Sequence, residues 1–126
     1  MGRVNTGTVW ELKIRDYLRA SGYTVVRSAG SKGAVDLVAW NEEGCLLIQA
    51  KKEIVKRTYK ADTLQLDAVK CPVFWKKQLW VKLSRSHVTV YDVHERELKL
   101  TKRISIRDMN ALIKLMQASE VQNGSD

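Results

Sequence analysis

The segment from Arg27 to Lys52, RSAGSKGAVDLVAWNEEGCLLIQAKK, constrains this chain more than any other. Two apolar runs, Val35 to Trp40 and Cys45 to Lys52, flank the turn signal Asn41-Glu42-Glu43-Gly44, a pattern that predicts an antiparallel hairpin. Side chains alternate along a strand, so Leu47, Gln49 and Lys51 share one face while Leu46, Ile48 and Ala50 share the other. Asp36 opens the first run after a small, Gly-rich loop. The plainest reading makes Asp36 a turn residue and Lys51 a solvated strand end. Gln49 resists that reading, because an unsatisfied polar group in a buried strand costs about 1–3 kcal/mol. Asp36 and Lys51 on neighbouring strands supply the partners it needs. An acid facing an amide oxygen and a lysine is also a set able to hold a divalent cation against a phosphate.

At 126 residues the chain is long enough for one core, so a single domain over residues 1–126 is expected, with 119–126 a frayed tail. Net charge is +8, from 22 basic and 14 acidic residues, which favours a polyanionic partner. The charge is also unevenly placed. Lys51, Lys52, Lys56, Arg57 and Lys60 stand against Glu53 alone, and Trp75 adjoins Lys76 and Lys77, a mixture of cations and aromatics suited to a phosphate backbone. No apolar run approaches the roughly 20 residues that span a bilayer, and MGRVNTGTV lacks an apolar signal core. The expectation is a cytoplasmic protein with no membrane partner. Cys45 and Cys71 show no metal-ligand spacing and do not cluster with His87 or His94, so reduced, at least half-buried thiols are expected rather than a zinc site.

Trp10, Ile14, Tyr17 and Leu18 mark a first helix over residues 7–20, with Thr6 or Thr8 as cap and Gly22 beyond its end. Tyr23 to Ser28 reads as a strand, followed by the hairpin. Glu53 to Tyr59 reads as a loop, and Ala61 to Val69 as a short helix ending before Pro72. Gln78 to Leu83 and His87 to Val93 form a second hairpin, with Trp80 in the core; Arg96 to Lys102 suggests at most a short strand. A last helix spans Ile106 to Ala118, its core stripe Met109, Leu112, Ile113 and Met116 and its cap Ser105. These elements predict an α/β fold, a mixed central sheet flanked by helices. Glu11, at the border of the apolar stripe near a helix start, serves the helix dipole as readily as a site.

GTVWE, VVRSAGSKGAVDLVA and CLLIQAKK together resemble the PD-(D/E)XK nuclease superfamily, and within it the archaeal-type Holliday-junction resolvases, which also occur in viruses. The resemblance covers residues 7 to 52 closely and QLWVKL loosely. It implies a restriction-endonuclease-like core of helix, three strands, helix and strand (αβββαβ). It also implies a homodimer that cuts four-way junctions with Mg2+, for which Mn2+ can substitute, and no small-molecule cofactor. Its setting would be the nucleoid of a prokaryote or a virus-infected host cell. By position, Asp36 resembles the metal-bridging aspartate, Lys51 the lysine that steadies attacking water and phosphate charge, and Glu11 the helix-borne acid. Ala50 would offer its carbonyl to the metal. Arg27 and Ser31 match loop residues near the scissile phosphate, and Lys82 a lysine that grips DNA, although a solvated strand lysine explains Lys82 equally well. Lys32, Lys52, Lys56 and Arg57 complete the expected DNA-binding set.

Gln49 stands where that family usually has glutamate. Its carbonyl still suits Mg2+, which takes hard oxygen donors, but one negative charge is gone. Two readings of Gln49 follow: a natural variant of a working site, or an inactivating replacement. Three functions therefore remain in view: a junction resolvase, another nuclease of the same fold (nicking, flap-cutting, or serving transposition or repair), and a DNA-binding module without catalysis. Hydrolysis by Ser28 or Ser31 is not expected, since neither has a histidine nearby in sequence or a nucleophile-elbow motif.

Overall fold

Helical spacing builds the first element as expected: Trp10, Ile14 and Leu18 are all buried along one stripe of α1 (Thr6–Ala20). The structure, a computed structural model, describes residues 6–28, 33–52, 59–82 and 84–124. Gly22, at φ 97°, ends α1 by entering the left-handed region that side chains avoid. Its amide donates to the Arg19 carbonyl, and the Tyr23 amide to that of Leu18. Thr6 opens the helix and Thr8 lies inside it.

Strands β1 (Thr24–Arg27), β2 (Leu37–Asn41) and β3 (Gly44–Lys52) pair antiparallel in sequence order. The β2–β3 turn is fixed by Asn41, whose Oδ1 accepts from the amides of Glu43 at 2.8 Å and Gly44 at 3.2 Å. The chain then crosses through α2 (Lys60–Asp67) to β4 (Lys76–Lys82), which lies parallel to β3. The remaining strands, β5 (His87–His94) and β6 (Glu97–Ser105), are antiparallel again, completing a six-stranded sheet in the order β1-β2-β3-β4-β5-β6. Helix α3 (Ile106–Gly124) follows without a break, and Ser105 Oγ accepts from the Asp108 amide as its expected cap.

Both faces of the sheet are covered. Trp10, Ile14, Leu18 and Met109 of α1 and α3 pack on Leu37, Ile48, Trp80, Val88 and Val90. On the other face, Tyr59 and Leu66 around α2 pack on Leu79, Val81 and Val93. That is why LWV reads as an unbroken apolar run: Trp80 serves one layer, Leu79 and Val81 the other. Full burial of side chains such as Ile14 or Leu66 contributes about 1.5–3 kcal/mol each. The buried Gln78 is satisfied within this packing, accepting from Trp80 Nε1 at 3.0 Å and donating to Asp92 at 2.9 Å.

Several expected boundaries move. The weak strand at Arg96 to Lys102 is a full edge strand, made possible by Glu95 and Arg96, which turn the chain at φ 51° and 66°. Most of β6 is exposed, which hides its strand period from a hydrophobicity reading. Val35 and Asp36 precede β2 rather than opening it, β4 begins earlier at Lys76, and α3 runs past Ala118. Tyr59, expected in a loop, is a buried residue at φ 56° packed 6.4 Å from the Tyr91 ring. The rest of that expected loop, 53–58, and Leu83 lie outside the described residues. Cys45 is buried and Cys71 half-buried, both free thiols.

Candidate active site

Asp36 is held by its backbone and its side chain at once. Its amide donates to the Ile48 carbonyl at 2.8 Å, and its Oδ2 accepts from the Ala50 amide at 2.8 Å. The Ser28 amide donates to its carbonyl at 2.9 Å, tying the end of β1 to the same residue. Leu37 pairs with Ile48, and one further step of that register sets Asp36 across from Gln49. The β2–β3 pairing, fixed by the Asn41 turn, thus brings together two residues far apart in sequence. From α1, Glu11 reaches the same region, its Oε1 3.3 Å from Nε of Arg27 on β1.

The electrostatics of Asp36 follow from this placement. Burial pushes the Asp36 carboxyl above its ordinary value, and the Glu11 carboxylate adds to the shift. The Ala50 amide, Lys51 and Arg27 oppose it. Asp36 therefore feels Glu11, Arg27 and Lys51, which come from three elements. A cation between the two acids would relieve what burial and mutual repulsion impose on Asp36.

Gln49 faces this region from β3 and is only 8% exposed. Its Oε1 is buried and has no hydrogen-bond partner among the described residues. Such an oxygen carries a desolvation cost that a ligand would offset. Asp36, Glu11 and Gln49 all offer oxygen, a chemistry that would suit a hard divalent cation rather than a soft one. Only two of them are carboxylates, and among the described residues no group of three His, Cys, Asp or Glu side chains stands ready to hold a metal.

Lys51 points toward α2, where its Nζ lies 3.1 Å from Asp62 Oδ1. Sequence reasoning missed Asp62. The available signal was an acid in the first turn of a short helix, a position explained equally well by the helix dipole. Arg27, expected to contact DNA, is brought against Glu11. Ala50 contributes its amide, to Asp36. Lys52 is exposed at the end of β3, and Lys82, across from it on β4, lies 5.9 Å over the Trp10 ring. Ser31, Lys32, Lys56 and Arg57 lie outside the described residues.

A mixed sheet whose helix, hairpin and parallel fourth strand gather acids and a lysine at one end is the restriction-endonuclease-like nuclease architecture. A solved structure shares this fold: Hjc of Archaeoglobus fulgidus, described as a Holliday junction resolvase from an archaeal hyperthermophile, is 20% identical. The match covers 85% of this chain and 89% of that one, with a TM-score of 0.59. Residues 3–118 match the archaeal Holliday junction resolvase (Hjc) family, and the chain belongs to that family. Its activity is accordingly endonucleolytic, and its substrate is branched DNA. No curated protein matches the chain. Among the described residues no helix is long and apolar enough to cross a membrane.

Proposed function

We propose that the chain resolves four-way junctions by metal-assisted hydrolysis of a phosphodiester at the Asp36–Gln49–Lys51 site, acting as a homodimer on cytoplasmic, nucleoid-associated DNA. One observation carries the site: the Asp36 carboxylate, locked to β3 by the Ala50 amide, stands across from the unpartnered oxygen of Gln49. Asp36, Gln49 and Glu11 would hold Mg2+, or Mn2+ in its place, with the Ala50 carbonyl available as a further oxygen. When bound, such an ion offsets charge on the phosphate and favours ionisation of a coordinated water.

The chain's own residues do the rest. Lys51 offers a cation beside Asp36 to steady charge developing on phosphorus, and Asp62 holds that ammonium at the rim until substrate competes for it. Arg27 orients Glu11 through their 3.3 Å contact. Ser31 belongs, by its place in the RSAGS block, to the neighbourhood of the scissile phosphate. Lys32, Lys52, Lys56, Arg57 and Lys82 would take flanking phosphates. The expected products carry 5′-phosphate and 3′-hydroxyl ends.

Two paired cuts require two sites, which one short domain supplies only by pairing with a copy of itself. Val73 and Phe74, 94% and 76% exposed in the α2–β4 connection, are the kind of bare apolar surface a partner covers.

Cleavage of a synthetic four-way junction with Mg2+ or Mn2+ tests the proposal, with flap and duplex substrates alongside. Symmetric cuts confined to the junction and abolished by Lys51→Ala are expected; equal cutting by that variant would refute the assignment. The missing charge at Gln49 favours one other reading, a DNA-binding module without catalysis. Silence from the native chain together with cleavage by Gln49→Glu would decide for it.

A further inference from the structure

The catalytic end of the sheet extends beyond the site itself. Lys52 and Lys82 are register partners at the ends of β3 and β4, and Arg85 follows in the β4–β5 turn. Lys13 of α1 donates to Asn110 Oδ1 of α3 at 2.9 Å. Asn110 in turn lines an open groove of roughly 730 Å³ together with Arg85, Arg107 and Lys114. A line of six cations therefore leaves the site, passes Lys13, and enters this groove. Burial first, and then Lys52, Lys13 and Arg85, push the Lys82 ammonium below its ordinary value, which confirms that these charges crowd one another.

Among the described residues, no acid pairs with any of Lys13, Lys52, Lys82, Arg85, Arg107 or Lys114. Three cations elsewhere do have acid partners, at Arg15–Asp16, Arg27–Glu11 and Lys51–Asp62. The start of α3 is not the source of the positive field, since the Ile106 amide donates to the Ser86 carbonyl and the Asp108 amide to Ser105 Oγ. The side chains are. Gathering like charges opposes folding, and a polyanion converts that cost into binding through counterion release.

Spacing identifies which part of the polyanion fits. The groove lies at the start of β5 and the end of β6, two to three strands from β3 in the sheet order. Strands about 4.8 Å apart place it roughly 10–14 Å from the site. Neighbouring phosphates on one strand rise about 3.4 Å along the axis but also wind around it, so they stand roughly 7 Å apart and that distance spans about two of them. Resting on the nuclease reading above, we propose that the Arg85–Arg107–Lys114 groove grips the backbone of the arm being cut, about two phosphates from the scissile one.

The test compares the triple variant Arg85→Gln, Arg107→Gln, Lys114→Gln with a triple losing equal charge elsewhere, Lys70→Gln, Arg96→Gln, Lys99→Gln. Junction affinity is measured in EDTA across a salt series, with thermal unfolding to verify that both variants fold. The groove variant should lower the slope of log affinity against log salt by about 2–3, as three lost phosphate contacts require. A drop no larger than the control's overturns the proposal. Uncharged methylphosphonate linkages, walked outward from the cut, locate the contact. Wild-type affinity should fall at about the second linkage while the groove variant stays indifferent there; wild-type indifference at that position also overturns it. If wild type cuts the junction, Lys51→Ala does not, and the slopes match, the groove fails and the nuclease reading stands. If wild type neither binds nor cuts, both fail.

Discussion

The two faces of β3 show how one strand serves two ends. Ile48, with Leu46 and Ala50 beside it, packs into the α1–α3 layer and asks for nothing beyond apolar neighbours. The opposite face carries the buried, unpartnered Gln49 oxygen and the Lys51–Asp62 pair. Alternation along the strand puts these environments one residue apart. The first face contributes stability, whereas the second holds polar groups in an unfinished state that substrate and metal would complete. Good packing behind the site is what lets the front remain unsatisfied.

The contrast is broken most decisively by comparing Lys51→Ala with Ile48→Ala. The lysine variant should lose at least about 100-fold in junction cleavage, the scale of a lost electrostatic contact to developing charge, with little change in unfolding temperature. The isoleucine variant should lose about 2–5 kcal/mol of stability in denaturant melts. A Lys51→Ala protein that unfolds early yet cuts normally would reverse the division between the faces.

Gln49→Glu sharpens the functional side. Restoring a charge beside Asp36 should tighten Mg2+ or Mn2+ binding by about tenfold, or 1.4 kcal/mol, read from the metal dependence of thermal unfolding. Without metal the same variant should be less stable than the native chain, because a third acid joins Glu11 and Asp36.

Asp36→Asn isolates the charge already there. Asparagine still accepts from the Ala50 amide but lacks the carboxylate. Because the folded-state pKa of Asp36 is raised, the folded chain binds more protons than the unfolded one between the ordinary value and the shifted one. Stability therefore falls as pH rises through that window. In metal-free buffer Asp36→Asn should melt above the native chain at neutral pH, and the difference should vanish on acidification. A native chain that is the more stable of the two at neutral pH would contradict the burial argument.

The smallest expected effect is that of Asp62→Ala. The pair it forms with Lys51 is partly solvated, so stability should change by about 0–1 kcal/mol. Cleavage should fall a few-fold through kcat rather than KM, and Asp62→Glu should restore it. Unchanged kcat would reduce the pair to a surface contact.

Much of this was readable in order along the chain. The hairpin from β2 to β3, the burial of Trp80 and the α1 stripe follow from period and turn chemistry, which are local. The RSAGS block and the Asp36, Gln49 and Lys51 spacing carried the family resemblance. What escaped was whatever depended on neighbours remote in sequence. Strand β6 carries little hydrophobic signal because most of its residues face solvent, and hydrogen bonding to β5 decides it. Tyr59 is buried because Tyr91 and α2 enclose it, although a charged segment precedes it. Asp62 acquires a role only when the β3–β4 crossover lays α2 over Lys51. Alternation and turn chemistry depend on adjacent covalent bonds, so the sequence by itself determined which residues share a face. Which faces meet, and which polar groups are left without partners, depends on packing between distant elements, and only the tertiary structure decided that.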